Sequence, residues 1–317
     1  MSKKGNRSFS WGCAAALAVG GALIGASAYF YKVAVKREEE KTFLLEHENL
    51  ERVFDETHTL EREQWLCGQA VEDVFIQSKD GLRLHALYIA SPVRTKKTII
   101  LAHGYTGVSS EMGSLARLYL EDHQYNILMP DNRGHGRSQG DYVGFGWPDR
   151  LDFLQWIDYT IQRTGTDSSV VLHGISMGGA TVLMTSGEKL PPQVKAVISD
   201  CAYTSAEDIL SYHLKQMYRL PRFPILYTTS LWTKMRAGYC FREASALNQV
   251  KKAQVPILYI HGEKDTFVPR EMVYSLFQAT GSDKELLIVP YAEHGHSFDT
   301  NPVMYERKVR DFLEEHV

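Results

Sequence analysis

Residues 172–180, Leu-His-Gly-Ile-Ser-Met-Gly-Gly-Ala, restrict the fold of this chain more than any other stretch. The run before them, residues 169–173, is apolar and β-branched and reads as a strand buried on both faces. Residues 178–185 read as a helix that opens on residues without bulk. Between the two the backbone must reverse within a few residues, and a side chain at Gly174 or Gly178 would strike the neighbouring strand or helix. Gly-x-Ser-x-Gly at such a junction describes a strained turn that lifts the Ser176 hydroxyl above the sheet edge. The first helical N–H groups and the positive helix end point at the same spot. The pentapeptide alone is a common turn; its place between a buried strand and a helix makes Ser176 the candidate nucleophile.

The rest of the chain supplies a matching frame. Residues 71–77 and 82–90 alternate in strand fashion around Lys79-Asp80-Gly81, a hairpin signal. Residues 98–102 form a buried strand that runs into His103-Gly104-Tyr105-Thr106-Gly107. A glycine-containing loop there can hold a backbone N–H outside regular structure, as an oxyanion hole requires. The N–H groups of Tyr105 and Met177 are the two candidate donors. A helix over 111–122 and a strand over 126–130 lead to the loop 131–138, where His135 sits among glycines and reads as a residue that fixes loop shape. An amphipathic helix covers 148–163, and the strand 194–199 ends at Asp200-Cys201.

From 203 to about 250 the pattern changes to Tyr, Leu, Met and Arg, broken by Pro221-Arg222-Phe223-Pro224 into two helical pieces. Such a segment between sheet strands reads as a cap that supplies an apolar acyl pocket. Strand 255–262, exit loop 263–269, helix 270–279, strand 285–289, loop 291–298 and helix 302–315 complete the chain. The expected architecture is α/β: a mainly parallel eight-stranded sheet covered by helices on both faces, with a helical cap between late strands. Catalytic groups then gather at the strands' C-terminal ends.

Three residue types fall at the exits of late strands in the order Ser176, Asp265, His294. A serine hydroxyl becomes a useful nucleophile when an imidazole accepts its proton and a carboxylate holds that imidazole's tautomer. His294 is the expected base and Asp265 its orienting acid. His296 competes for the first role and Asp200 for the second. From about Val71 to the C-terminus the chain resembles the α/β-hydrolase superfamily, and within it the serine aminopeptidase-like hydrolases and the bacterial relatives of alpha/beta hydrolase domain protein 13. The residues that carry the resemblance are His103 to Gly107, Asp131 to Ser138, the turn around Ser176, His261-Gly262 with Asp265, and Ala292-Glu293-His294 with Ser297. The resemblance implies a serine hydrolase acting on carboxylic esters, lipids, thioesters or peptides.

The N-terminal segment lies outside that resemblance. Residues 8–31 carry no charge and are bracketed by Lys3, Lys4 and Arg7 before and by Lys32, Lys36 and Arg37 after. As a helix this run spans roughly 36 Å, enough to cross a bilayer. Residues 1–37 are therefore expected to be a single-pass membrane anchor with the catalytic domain on the extracytoplasmic side, and Gly21-x-x-x-Gly25 to pack against another helix. A cleavable signal peptide ending at Ala26-Ser27-Ala28 is the rival. Residues 38–70 read as a charged helical stalk or packing helix, with Phe43, Leu44, His47, Leu50, Val53 and Phe54 at helical spacing, and 71–317 as the hydrolase domain.

The 317 residues hold ample material for a core, and a net charge of -3 argues against a nucleic-acid partner. Cys13, Cys67, Cys201 and Cys240 are scattered without metal-binding spacing, and no phosphate or dinucleotide loop is present, so neither a metal nor a cofactor is implied. The expected activity is hydrolysis of a small-molecule ester or acyl substrate through an acyl-enzyme. A serine aminopeptidase is the alternative, with Glu207 and Asp208 as candidate holders of a substrate ammonium; a catalytically silent membrane scaffold is the alternative from another class.

Overall fold

The computed structural model describes residues 5–37 and 56–317, with side chains from residue 20 in the first segment and residue 60 in the second. The strands are β1 (Val71–Gln77), β2 (Arg83–Ile89), β3 (Lys97–Ala102), β4 (Asn126–Pro130), β5 (Ser169–Ile175), β6 (Val194–Asp200), β7 (Ile257–Gly262) and β8 (Lys284–Val289). They form one sheet in the order β1-β2-β4-β3-β5-β6-β7-β8. The β1/β2 and β2/β4 pairs are antiparallel and the remaining pairs parallel. The helices are α1 (Gly5–Ala34), α2 (Glu56–Cys67), α3 (Gly113–Arg117), α4 (Asp149–Thr164), α5 (Met177–Ser186), α6 (Ala206–Tyr218), α7 (Ile225–Ala237), α8 (Ala246–Val250), α9 (Glu271–Ala279), α10 (Ser297–Thr300) and α11 (Pro302–His316).

The central strands are mainly apolar because helices cover both of their faces. Ile100, Leu172, Val197 and Tyr259 point to the face packed by α4, α5 and α9. Their neighbours Ile99, Val171, Ile198 and Leu258 point to the opposite face, under α3 and α11. The helix expected over 111–122 is divided: a 3₁₀ turn at Ser109–Met112, the short α3, and a wider π turn at Leu118–Asp122. Residues 43–54, expected on the charged helix, lie outside the described residues. Helix α2, which follows them, packs through Trp65 and Leu66 onto the α3 side, with the Trp65 indole donating to Glu121 at 2.7 Å.

The C-terminal half of α1 is joined to the hydrolase domain. Ser27 is buried with its hydroxyl 2.7 Å from that of Thr228 on α7, and Val35 is fully buried. Gly21 and Gly25 face open space within the chain, where a Cβ at either meets nothing within 4 Å among the described residues. Among the described residues no helix is long and apolar enough to cross a membrane.

The loop 131–138 is held by buried charge. Arg133 donates through Nε and Nη2 to the two carboxylate oxygens of Asp152, both at 2.7 Å, and through Nη1 to Asp80 at 2.8 Å. Arg133 and Asp152 are both buried, so removing one leaves the other uncompensated. Arg133→Met is expected to lower folding stability by about 3–5 kcal/mol, read from urea unfolding midpoints.

Candidate active site

The site begins with a backbone constraint. Ser176 caps α5 at φ 56°, ψ -116°, a conformation that costs an L-residue energy unless its surroundings impose it. The imposition is steric. A Cβ at Gly174 would lie 2.2 Å from the carbonyl of Gly178, and one at Gly178 would lie 2.0 Å from the carbonyl oxygen of Ala102. The Ser176 N–H donates to the Asp200 carbonyl at 2.9 Å and pins the turn to β6.

The three residues expected from strand exits meet here. His294 Nε2 lies 2.8 Å from Ser176 Oγ, and its Nδ1 lies 2.7 Å from Asp265 Oδ2. All three side chains are buried. The other Asp265 oxygen accepts from the N–H groups of Phe267 and Val268 at 3.0 and 2.8 Å. Burial alone pushes the Asp265 carboxyl up; the His294 and His261 imidazoles beside it overcome that and hold it well below the ordinary carboxylate range. The competing assignments go elsewhere. His296 pairs with Asp299 at 3.4 Å, and Asp200 accepts from the Ser297 hydroxyl at 3.0 Å while burial pushes its carboxyl up.

The loop after β3 lies against the nucleophile. A Cβ at Gly104 would be 3.7 Å from Ser176 Cβ. The loop is fixed by two buried histidines. His103 Nε2 accepts from the Asn132 N–H at 2.9 Å while Nδ1 lies 2.8 Å from the Gly104 carbonyl. Burial, with the neighbouring His135, lowers the His103 pKa to about 3, so the ring is neutral as this pattern of one acceptor and one donor requires. His135 Nε2 lies 2.6 Å from the Tyr105 carbonyl, which orients the peptide that follows. Met177 opens α5, where the first N–H groups have no partner one turn back within the helix.

Ser176 borders two cavities. One, with about 820 Å³ of non-atom space partly open to solvent, lies under the cap and is lined by apolar groups such as Leu210, Met217 and Ile225. The other has a mixed lining, in which Arg62, Glu111, His296 and Asp299 stand among apolar groups such as Met112 and Phe298 beside the His103–Gly107 loop. Glu111 is exposed to solvent there, with the Arg62 guanidinium favouring its charged form. Glu207 and Asp208, expected as candidate ammonium holders, reach neither cavity: Glu207 pairs with Arg222, and the Asp208 carboxylate accepts from the hydroxyls of Thr204 and of Ser205, the residue that caps α6.

Sequence reasoning also gave no role to His261, whose Nε2 lies 3.2 Å from Asp265 Oδ2 and 2.9 Å from the Val268 carbonyl. The i, i+4 spacing of His261 and Asp265 across a strand exit was the available signal. Cys201, Asp265 and His294 have ligand atoms within 4.8 Å of one another, and the last two are already joined by the Nδ1–Oδ2 contact of the site.

Comparison with known proteins fits this geometry. The model of the prolyl oligopeptidase family of peptidases matches residues 113–317, more than half of the chain. The chain belongs to that family. It is 29% identical over 280 residues to the uncharacterized protein YqkD of Bacillus subtilis (strain 168), covering 88% of each. It is 24% identical over 257 residues to the alpha/beta hydrolase domain-containing protein WAV2 of Arabidopsis thaliana, covering 77% of this chain and 79% of WAV2. Among solved structures, the Pyrococcus furiosus esterase PF2001 superposes with a TM-score of 0.64 at 24% identity, covering 78% of this chain and 92% of the other. The chain is thus a hydrolase of the α/β-hydrolase fold.

A carboxylate whose native pKa lies below its unfolded value stabilises the fold above the ordinary carboxylate range, and loses that contribution as pH falls towards the native pKa. Between about pH 5 and pH 3 the wild type should therefore lose stability more steeply than Asp265→Asn, as measured by urea midpoints at each pH. At the turn, Gly178→Ala drives a methyl group into the Ala102 carbonyl and is expected to abolish recovery of soluble folded protein.

Proposed function

We propose that this protein is a serine hydrolase that cleaves an ester of an apolar acyl group and a small polar alcohol through an acyl-enzyme. The observation that carries the reading is the position of the Ser176 hydroxyl 2.8 Å from His294 Nε2, between an apolar cavity and a second one that also carries charged groups. In this mechanism His294 takes the Ser176 proton as Oγ attacks the carbonyl carbon, and Asp265 stabilises the resulting imidazolium. The N–H groups of Tyr105 and Met177 receive the oxyanion. His294 then protonates the leaving alcohol, which departs through the second cavity, and a water activated by the same ring releases the acid. The esterase name of PF2001 agrees with an ester substrate for a fold of this kind.

A second reading is hydrolysis of peptides or other amides. Glu111 and Asp299 in the second cavity favour it, since acidic groups there hold a substrate ammonium, and so does the family's peptidase description.

The uncharged run 8–31 is proposed as a membrane tether with the catalytic domain outside. Helix α7, packed on α1, supports it with a row of exposed apolar residues at Tyr227, Leu231 and Met235, flanked by Lys234 and Arg236. A reporter enzyme fused after Val317 that works only inside the cell is then expected to be inactive.

Fluorophosphonate labelling tests the nucleophile: the wild type reacts and Ser176→Ala does not, whereas an unreactive wild type favours a silent scaffold. Ser176→Ala and His294→Ala are each expected to reduce kcat/KM by about 10⁴-fold or more, while His296→Ala retains turnover. Against matched p-nitrophenyl esters and aminoacyl nitroanilides, turnover of the esters supports the first reading. Turnover of the anilides alone, weakened by Glu111→Gln through a raised KM, establishes the second.

A further inference from the structure

The apolar cavity has a wall that does not belong to the hydrolase domain. Phe30, Val33 and Ala34 of α1 line it together with Ser176 and the cap. Their i, i+3, i+4 spacing makes them one stripe of the helix, facing the same side.

This stripe is held in place by contacts along its length. The Phe30 ring meets the Tyr218 ring of α6 edge-on, with centroids 5.0 Å apart. One turn of helix further, the Tyr105 hydroxyl donates to the Ala34 carbonyl, which ties α1 to the loop beside the nucleophile. The Val35 carbonyl accepts from the Val143 N–H at 2.7 Å, and the Arg37 guanidinium donates to the carbonyls of Ser138 and Gly136, each at 2.7 Å. A segment that only tethered the domain would need none of these bonds.

The stripe also has two unlike ends. Ala34 is held at its carbonyl by the hydroxyl at the tip of the Tyr105 side chain. Phe30 lies about 6 Å along the helix axis from it, against Tyr218 at the C-terminal end of α6. Ser176 opens on the same cavity, so an acyl group on its Oγ that fills the cavity meets a small side chain at one end of the stripe and a pair of rings at the other.

We infer that α1 is the specificity wall of an acyl-chain site, with Ala34 leaving room for an unbranched hydrocarbon tail and the Phe30–Tyr218 pair setting how far it extends. The role presupposes the acyl-enzyme chemistry proposed above. It makes the N-terminal segment part of the substrate site, independent of whether that segment also enters a bilayer.

The full-length chain in detergent micelles tests this with two probe series: p-nitrophenyl esters from acetate to palmitate, and alkyl fluorophosphonates bearing ethyl or dodecyl chains. Phe30→Ala is expected to raise the kcat/KM ratio of the dodecanoate over the butyrate ester by about 10-fold, consistent with a few methylene groups gaining burial. Ala34→Leu is expected to lower the same ratio. Ile24→Ala, at an exposed position on α1, leaves it unchanged. Thermal melting checks that each variant is folded, and because the readout is a ratio, a uniform loss of activity does not mimic the effect. If folded Phe30→Ala and Ala34→Leu both keep the wild-type chain-length profile, α1 is not the wall. If the wild type hydrolyses no ester, the ester reading fails, and the dodecyl-to-ethyl labelling rates at Ser176 still decide the role of α1: a shift in the two variants supports it and an unchanged ratio overturns it.

Discussion

Ser176 is held at a positive φ by the absence of side chains at Gly174 and Gly178, and the rest of the site depends on that contact. Backbone approaches of this closeness are open only to glycine, and they let β5 turn within a few residues into α5, which packs on one face of the sheet. The turn fixes where the hydroxyl stands. Because β3 and β6 flank β5 in parallel, their exits deliver the His103–Gly107 loop to one side and the Asp200 carbonyl to the other. Strain in one residue is thus maintained by packing across three strands.

Around that point the electrostatics divide the work. Asp265 is buried yet charged, because two backbone N–H groups and two imidazoles face it. A negative charge fixed there suits an imidazole that must become cationic for a moment and no longer. His103 and His173 are buried without a carboxylate at hydrogen-bond distance and stay neutral, with pKa values lowered to about 3 by burial. The same residue type is therefore placed between a hydroxyl and a carboxylate at His294 and inside a neutral hydrogen-bond network at His103 and His173. The two cavities differ as well: the one under the cap is apolar almost throughout, whereas the one beside the His103–Gly107 loop carries Arg62, Glu111 and Asp299 in its wall.

Much of this was legible because it is local. The Gly-x-Ser-x-Gly turn follows from strand and helix patterns on its two sides, and Asp265 and His294 follow from their places just after strands. The strands and the antiparallel opening pair were legible in outline, since each strand is a short apolar run between turn residues; their order across the sheet came from the tertiary structure. The choice between His294 and His296 was not. Gly295, at φ 75°, turns the chain between them, so that one ring meets Ser176 and the other Asp299. The acidic residues of the second cavity were missed because Glu111 sits in a broken helix far from Ser176 in the chain, while the acidic residues singled out, Glu207 and Asp208, are consumed by Arg222 and by the Thr204 and Ser205 hydroxyls.

The N-terminal run shows where sequence reading stops. An uncharged stretch of this length announces only that it avoids water, and a bilayer, another helix or a cap each meets that need. The sequence by itself determined the residue types, the nucleophile turn and the alternation that builds the sheet, because these depend on neighbours within a few positions. Only the tertiary structure decided which imidazole reaches the serine, which carboxylates face the second cavity, and that Phe30, Val33 and Ala34 line the apolar one. Those outcomes depend on contacts between segments far apart in the chain, and packing, unlike spacing, leaves no local mark in the order of residues.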